Sequence, residues 1–235
     1  MREGKNMAFS EKIKKEIESY CISHLASDEW YENEFSFIQD AELKNRIIAE
    51  FKAIRFAYKL YEGIGATDAN LMFEVRNQIL AYASIYEAVL EYVLFTYYFD
   101  TDEFDALMHH TIPIKIDIPV NKRCKLQEEL SHDGKEIVPF YYSKKRKEKS
   151  KVRFDDKCRT AERLGIIHKF VNKENEEIDL PAELIEIYSY RNGIHIIAEQ
   201  RKGINYELDL SKRAYRRMRP FIDQLKEKLI KDGKI

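Results

Sequence analysis

Apolar residues recur at intervals of three and four through most of this chain, which is the period of an amphipathic α-helix. Ile13, Ile17, Cys21 and Leu25 form a narrow stripe behind Ser10, a good capping residue, and predict a first helix that ends near Ser27 and Asp28. Leu43, Ile47, Phe51, Ile54, Tyr58 and Tyr61 predict a long second helix over 40–62, stopped by Gly63 and Gly65. The stretch 69–99, capped by Thr67 or Asp68, is apolar round most of its circumference, with Leu71, Val75, Ile79, Tyr82, Tyr86, Val89, Val93 and Tyr97 on one face. A helix of that kind belongs at the centre of a bundle. Asn77, Ser84 and Glu87 are then polar groups on a mostly buried rod. They need partners, so they either tie the bundle together or line a site.

Beyond a short helix near 102–109 the period changes to two. Ile112, Ile114, Ile116 and Ile118 alternate with Pro113, Lys115 and Asp117, as in a strand, while Pro113 and Pro119 confine that strand to an edge. Asp133-Gly134 predicts a turn and 137–142 is again extended, so 111–152 reads as a partly extended excursion between bundle helices. Lys144–Arg153 carries seven positive side chains against one Glu, the composition of a solvated loop that can meet phosphate. Lys144, Lys145, Arg146 and Lys147 are its candidate RNA contacts. Helical spacing returns over 155–164, closed by Gly165, and a polar loop spans 172–177. Pro181 opens a helix running to about Glu199, 206–210 forms a short extended link, and Ser211 caps a last helix to about Lys231. The expected class is all-α: a helical extension over 1–66 packed on a bundle over 67–235.

Composition changes this picture little. With 8 Gly and 5 Pro in 235 residues, long helices and few tight turns are expected. A net charge of −1 supplies no global field for nucleic acid or membrane, so any basic site is local. Cys21, Cys124 and Cys158 form no CxxC pair, which suits a reducing compartment and offers neither a disulfide framework nor a zinc site. The charged N-terminus lacks a secretory h-region, and Glu87 and Glu91 interrupt the most apolar run, so a buried helix is expected rather than a membrane span. The expected location is the cytoplasm.

The stretch Ile187–Ile197 carries the candidate chemistry. Arg191 and His195 lie one helical turn apart on the same face. A fixed cation beside a group that exchanges a proton near neutrality is a minimal kit for phosphoryl chemistry. Gly193 costs a helix about 1 kcal/mol relative to Ala and lets a backbone or substrate approach closely. Tyr188 shares the Arg191 face, where it either stacks a base or packs an interface.

Arg191-Asn192-Gly193-Ile194-His195 resembles the Arg-Asn-x-x-His form of the HEPN signature, with a three-residue gap shorter than the family's general spacing of four to six. Arg76-Asn77, Ser84 and Glu87 in VRNQILAYASIYEAVLEYVLF are similar to the polar positions of a HEPN core helix, and CRTAERLGII to a short helix before the motif. The likeness covers roughly 67–231 without the excursion. It implies an all-α bundle that dimerises and cuts RNA without metal or other cofactor by attack of the ribose 2′-hydroxyl. His195 would act as general acid or base, Arg191 would hold the phosphate, and Asn192 would orient the motif or bond RNA. Glu87 and Ser84 would support the site, and in toxin or defence systems a protein partner can hold such an enzyme silent.

Other readings compete. A HEPN-like bundle can serve as a scaffold, sensor or partner-binding dimer with Arg191 and His195 as contacts. His132-Asp133 and His109-His110 suggest a metal-dependent phosphohydrolase, but the first pair precedes Gly134 in a turn and adjacent histidines diverge by about 100° on a helix. The Lys144–Arg153 loop suggests a nucleic-acid-binding module, but the run holds no interleaved aromatics.

Overall fold

The computed structural model describes residues 8–130, 133–191 and 206–235. Among these the chain is mostly helical, with two small two-stranded antiparallel sheets. In order come α1 (Glu11–Ser23), α2 (Asp28–Glu34), α3 (Ala41–Gly63), α4 (Asp68–Tyr97), α5 (Asp102–Met108), β1 (His109–Lys115), α6 (Val120–Leu130), β2 (Phe140–Arg146), α7 (Phe154–Arg163), β3 (Phe170–Val171), β4 (Glu177–Ile178), α8 (Leu180–Arg191) and α9 (Leu208–Lys231). They fall into two compact units: the described residues of Met1–Phe99 with Phe154–Ile235, and Asp100–Arg153.

The first unit is a helical bundle. Ser10 and Asp40 cap α1 and α3 by accepting from the backbone N–H three residues on, at 3.4 and 3.0 Å. α4 runs through the core against α3, α7, α8 and α9, and Val75, Tyr82, Ala83, Tyr86, Val89, Leu90 and Val93 are fully buried. By length and composition alone α4 could cross a membrane, yet half of its most apolar window is buried in the bundle. Tyrosine hydroxyls of α4 and of Tyr98 just beyond it reach far along the chain. Tyr86 donates to the Ala214 carbonyl at 2.6 Å, Tyr97 to that of Phe37 at 2.5 Å, and Tyr98 to Asp232 at 2.8 Å. Phe51 of α3 gathers Tyr31, Phe35 and Tyr82 edge-on, at centroid separations of 5.6, 6.2 and 6.1 Å.

Several local expectations need correction. Ser27 does not end the first helix but starts α2, where its side chain accepts from the Trp30 N–H at 3.2 Å. Seven residues with a cap can form a helix here because Tyr31, Phe35, Phe37 and Ile38 are buried by the bundle. Gly63 lies inside α3, where a Cβ would come within 2.9 Å of the Tyr20 ring, and Gly65, at φ +61°, makes the left-handed turn out. The loop at 172–177 is the tip of a short hairpin, in which Asn172 Oδ1 accepts from the N–H groups of Glu174 and Glu176. Ser211 does not cap α9: the helix begins three residues earlier and Ser211 is buried inside it.

The second unit is built on the β1–β2 ladder, whose register pairs His109 with Arg146 and Lys115 with Phe140. Lys144, Lys145 and Arg146 are strand residues, not loop. The first half of β2 lies in the stretch read as extended, but its continuation through Lys144–Arg146 and the helix α6 were not evident, because a run of lysines masks the period-2 pattern and α6 buries no residue.

Candidate active site

α4, α7 and α8 bring four charged side chains into one cluster. Glu87 and Glu91 lie one turn apart on α4. Lys157 of α7 reaches both, at 2.5 Å to Glu91 Oε2 and 3.7 Å to Glu87 Oε1, and its side chain is only 2% exposed. At the end of α8, Arg191 Nη1 donates to Glu87 Oε2 and to the Tyr188 hydroxyl at 3.2 Å, while Tyr188 donates to Glu87 Oε1 at 3.0 Å. Two carboxylates and two cations make the cluster formally neutral, so a buried lysine is tolerated because it is paired.

Glu87 thus anchors the motif arginine. Both hydrogen bonds of the Arg191 side chain to described residues use a single nitrogen, and about a third of its side chain remains exposed. The rest of its fork of donors is uncommitted among the described residues and suits an oxyanion. Of the two sequence readings of Tyr188, base stacking or packing, its contacts within the bundle favour packing. Phe154 lies nearly parallel to its ring at 4.3 Å and the Arg191 guanidinium sits 5.3 Å from its centroid. Burial first, and the charge of Glu87 next, raise the Tyr188 phenol above its ordinary pKa, so it remains a donor.

Other contacts fix α8 itself. Arg217 holds Glu183 in a two-pronged pair at 2.5 and 3.2 Å, and Arg213 bonds Glu186 at 2.9 Å. Burial pushes the Glu186 carboxyl up, but bonds from Arg213 and Tyr190 outweigh it and hold the group below the usual range. Within the basic start of α9, Arg213 and Arg217 therefore clamp α8.

The remaining sequence candidates fall apart from this cluster. Ser84 donates to the Leu80 carbonyl of its own helix at 2.9 Å and does not join Glu87. Asn192 and His195 lie outside the described residues. His132 does too, while Asp133 sits at φ +63° in a turn, a geometry unlike a helical metal pair. His109 is engaged by Asp105, and no group of three or more His, Cys, Asp or Glu among the described residues could hold a metal ion. Lys157 and Glu91 were missed as site members. The available signal was a lysine within the α7 stripe of Phe154, Cys158 and Ala161, where an apolar residue belongs.

In the second unit, the ladder sorts the basic run by face. Phe140, Tyr142, Lys144 and Arg146 alternate onto one face with Lys115, Pro113 and Thr111 beside them, and all are exposed. Phe140 and Tyr142 meet edge to face at 5.4 Å. The interleaved aromatics absent from Lys144–Arg153 are thus supplied just upstream of it. Lys145 takes the opposite face, and Lys144 is paired with Asp105. The Lys147 N–H donates to the Met108 carbonyl at 2.6 Å, so its side chain leaves from the stem of the hairpin.

The chain matches no known family model, and neither a curated protein nor a solved structure matches it.

Proposed function

We propose that this chain is a HEPN-like, metal-independent endoribonuclease of toxin or defence type, working in the cytoplasm as a homodimer. The observation that carries this reading is the held Arg191: one nitrogen anchored on Glu87 and Tyr188, the remaining donors uncommitted among the described residues, and about a third of the side chain exposed. A phosphate seated there would gain charge-assisted bonds that strengthen as negative charge builds on the phosphoryl oxygens. The 2′-hydroxyl of the preceding ribose attacks phosphorus, its proton passes to a base, and the 5′-oxygen leaves with a proton from an acid. A 2′,3′-cyclic phosphate remains on one product. His195 suits either proton transfer because imidazole titrates near neutrality. Two copies of the motif facing one groove would supply both, with Asn192 orienting the strand and Glu87 fixing the arginine.

The hairpin face supports an RNA substrate, since exposed rings beside cations form a platform for single strands. Phe140→Ala/Tyr142→Ala should weaken binding of a single-stranded RNA about tenfold or more, read by fluorescence anisotropy. Both rings are exposed, so thermal stability should not move.

The direct test compares wild type with His195→Ala on total and tRNA-sized RNA in EDTA, with end-group analysis. Wild-type cleavage to cyclic-phosphate ends, absent from the variant, is the expected result. No cleavage by a folded, dimeric wild type would move the assignment to a non-catalytic scaffold, sensor or partner-binding dimer. One observation favours that second reading: Glu87 already neutralises Arg191, as a structural contact would. An inhibitory protein partner belongs to either reading.

A further inference from the structure

A second polar site lies on α3, the first half of α4 and the start of α9. A cavity of about 260 Å³ is lined by Arg55, Tyr58, Lys59, Gln78, Lys212 and Arg216, with Glu62, Ser211 and Tyr215 completing its wall. An adjoining space of about 180 Å³ shares Tyr58, Glu62, Gln78 and Lys212 and extends to Glu74. Four cations therefore face one carboxylate in the larger space, and that carboxylate, Glu62, is held by Lys59 at 2.5 Å.

Arg55, Lys212 and Arg216 have no carboxylate partner among the described residues. Arg55 is held by rings instead, its guanidinium 4.0 Å from the Tyr215 centroid and 5.0 Å from that of Tyr58. Rings fix a guanidinium without neutralising it and leave its edge donors open for an anion. The opposite wall is a buried chain of acceptors. Ser211 donates to Gln78 Oε1 at 2.6 Å, and Gln78 Nε2 donates to Glu74 Oε1 at 2.9 Å. All three are at least nine-tenths buried, and burial raises the Glu74 carboxyl above its usual range despite the Gln78 bond. Glu74 Oε2 has no bonded donor in this chain of contacts, so the smaller space ends on an acceptor that a ligand hydroxyl can satisfy.

We propose that these joined spaces bind a small phosphate monoester bearing hydroxyl groups, the chemistry of a phosphorylated sugar. Arg55, Lys212 and Arg216 take the phosphate, and the wall of Glu74, Gln78 and Ser211 takes the hydroxyls. A free sugar phosphate and the terminal phosphorylated ribose of a nucleic acid share this chemistry. The site uses neither Arg191 nor Glu87 and stands whether or not the chain cuts RNA.

Isothermal titration of the full chain with ribose 5-phosphate tests it, with inorganic phosphate, ribose and a 5′-phosphorylated RNA trinucleotide as companion probes. Saturable binding of ribose 5-phosphate is expected, weaker binding of phosphate, and none of ribose. A trinucleotide binding more tightly than ribose 5-phosphate would identify the source as a nucleic-acid end; the reverse order would identify a free metabolite. Lys212→Ala/Arg216→Ala should weaken ribose 5-phosphate about a hundredfold, since each lost charge-assisted bond is worth about a factor of ten. Neither side chain has an ion pair among the described residues, so the melting temperature should hold. Glu74→Gln should weaken ribose 5-phosphate and leave inorganic phosphate unchanged, whereas Arg191→Gln should alter neither. Absence of saturable binding, or a double variant that binds like wild type, would overturn the proposal.

Discussion

Lys157→Met should destabilise the bundle by about 3–5 kcal/mol, the usual penalty for breaking a buried ion pair from one side. The lysine is almost fully enclosed between Glu91 and Glu87, which lie one helical turn apart on α4. Without it, the Glu87 and Glu91 carboxylates lose the buried cation that bridges them. For a chain of this size each kcal/mol moves the melting temperature by about 2–4 °C, so a fall of roughly 10 °C is expected by calorimetry. Adding Glu91→Leu to Lys157→Met should recover much of the loss, because an apolar pair replaces an ionic one. A single-variant cost below about 1 kcal/mol would mean that Lys157 is hydrated and that the cluster contributes little to the fold.

Arg191→Gln should separate catalysis from architecture. If the guanidinium binds the transferring phosphate, kcat/KM for RNA cleavage falls by about 10²–10³. Stability should fall by no more than about 1 kcal/mol, since the Arg191–Glu87 pair is about a third exposed and screened by water. Glu87→Gln supplies the contrast: it loosens the anchor without removing the charge, so activity should drop less than in Arg191→Gln. Equal loss of activity in both variants would make the anchor, rather than the cation, the decisive element. Loss of stability in both with unchanged RNA processing would count for the scaffold.

Much of the helical framework was legible in the residues. Ser10 announced its helix because caps act locally, and α4 declared itself central because its apolar residues spread round the rod. Glu87 stood out as a polar group on the central rod that needs a partner, and it bonds Arg191 and Tyr188, but those partners were not legible. Lys157 and Arg191 lie 66 and 104 positions from the α4 carboxylates they bond, and no periodicity links positions so far apart. Ser84 misled for the opposite reason: a helical serine can satisfy itself on its own backbone, as it does on Leu80. Ser211 has a good capping side chain, but burial beside Gln78 gives that hydroxyl a tertiary partner and the helix starts earlier. The hairpin shows how a composition reading fails. Charge density suggested a loop, whereas pairing with β1 turns alternate residues to opposite faces and sets Phe140 and Tyr142 in line with Lys144 and Arg146.

The excursion also bears on how the bundle assembles. α4 must meet α7, α8 and α9 across everything between Phe99 and Phe154, which would be a long loop to close if that stretch were slack. It is not slack: its strands run antiparallel, and the stem is tied where the Lys147 N–H meets the Met108 carbonyl. Once the hairpin zips, which takes microseconds in ordinary hairpins, the length of chain left to be closed shrinks to the two flanks of the stem, 100–108 and 147–153. Residues added at the tip, near Asp133-Gly134, then leave that effective length unchanged. The refolding rate of the helices should accordingly be insensitive to the length of the tip and sensitive to the pairing of the stem.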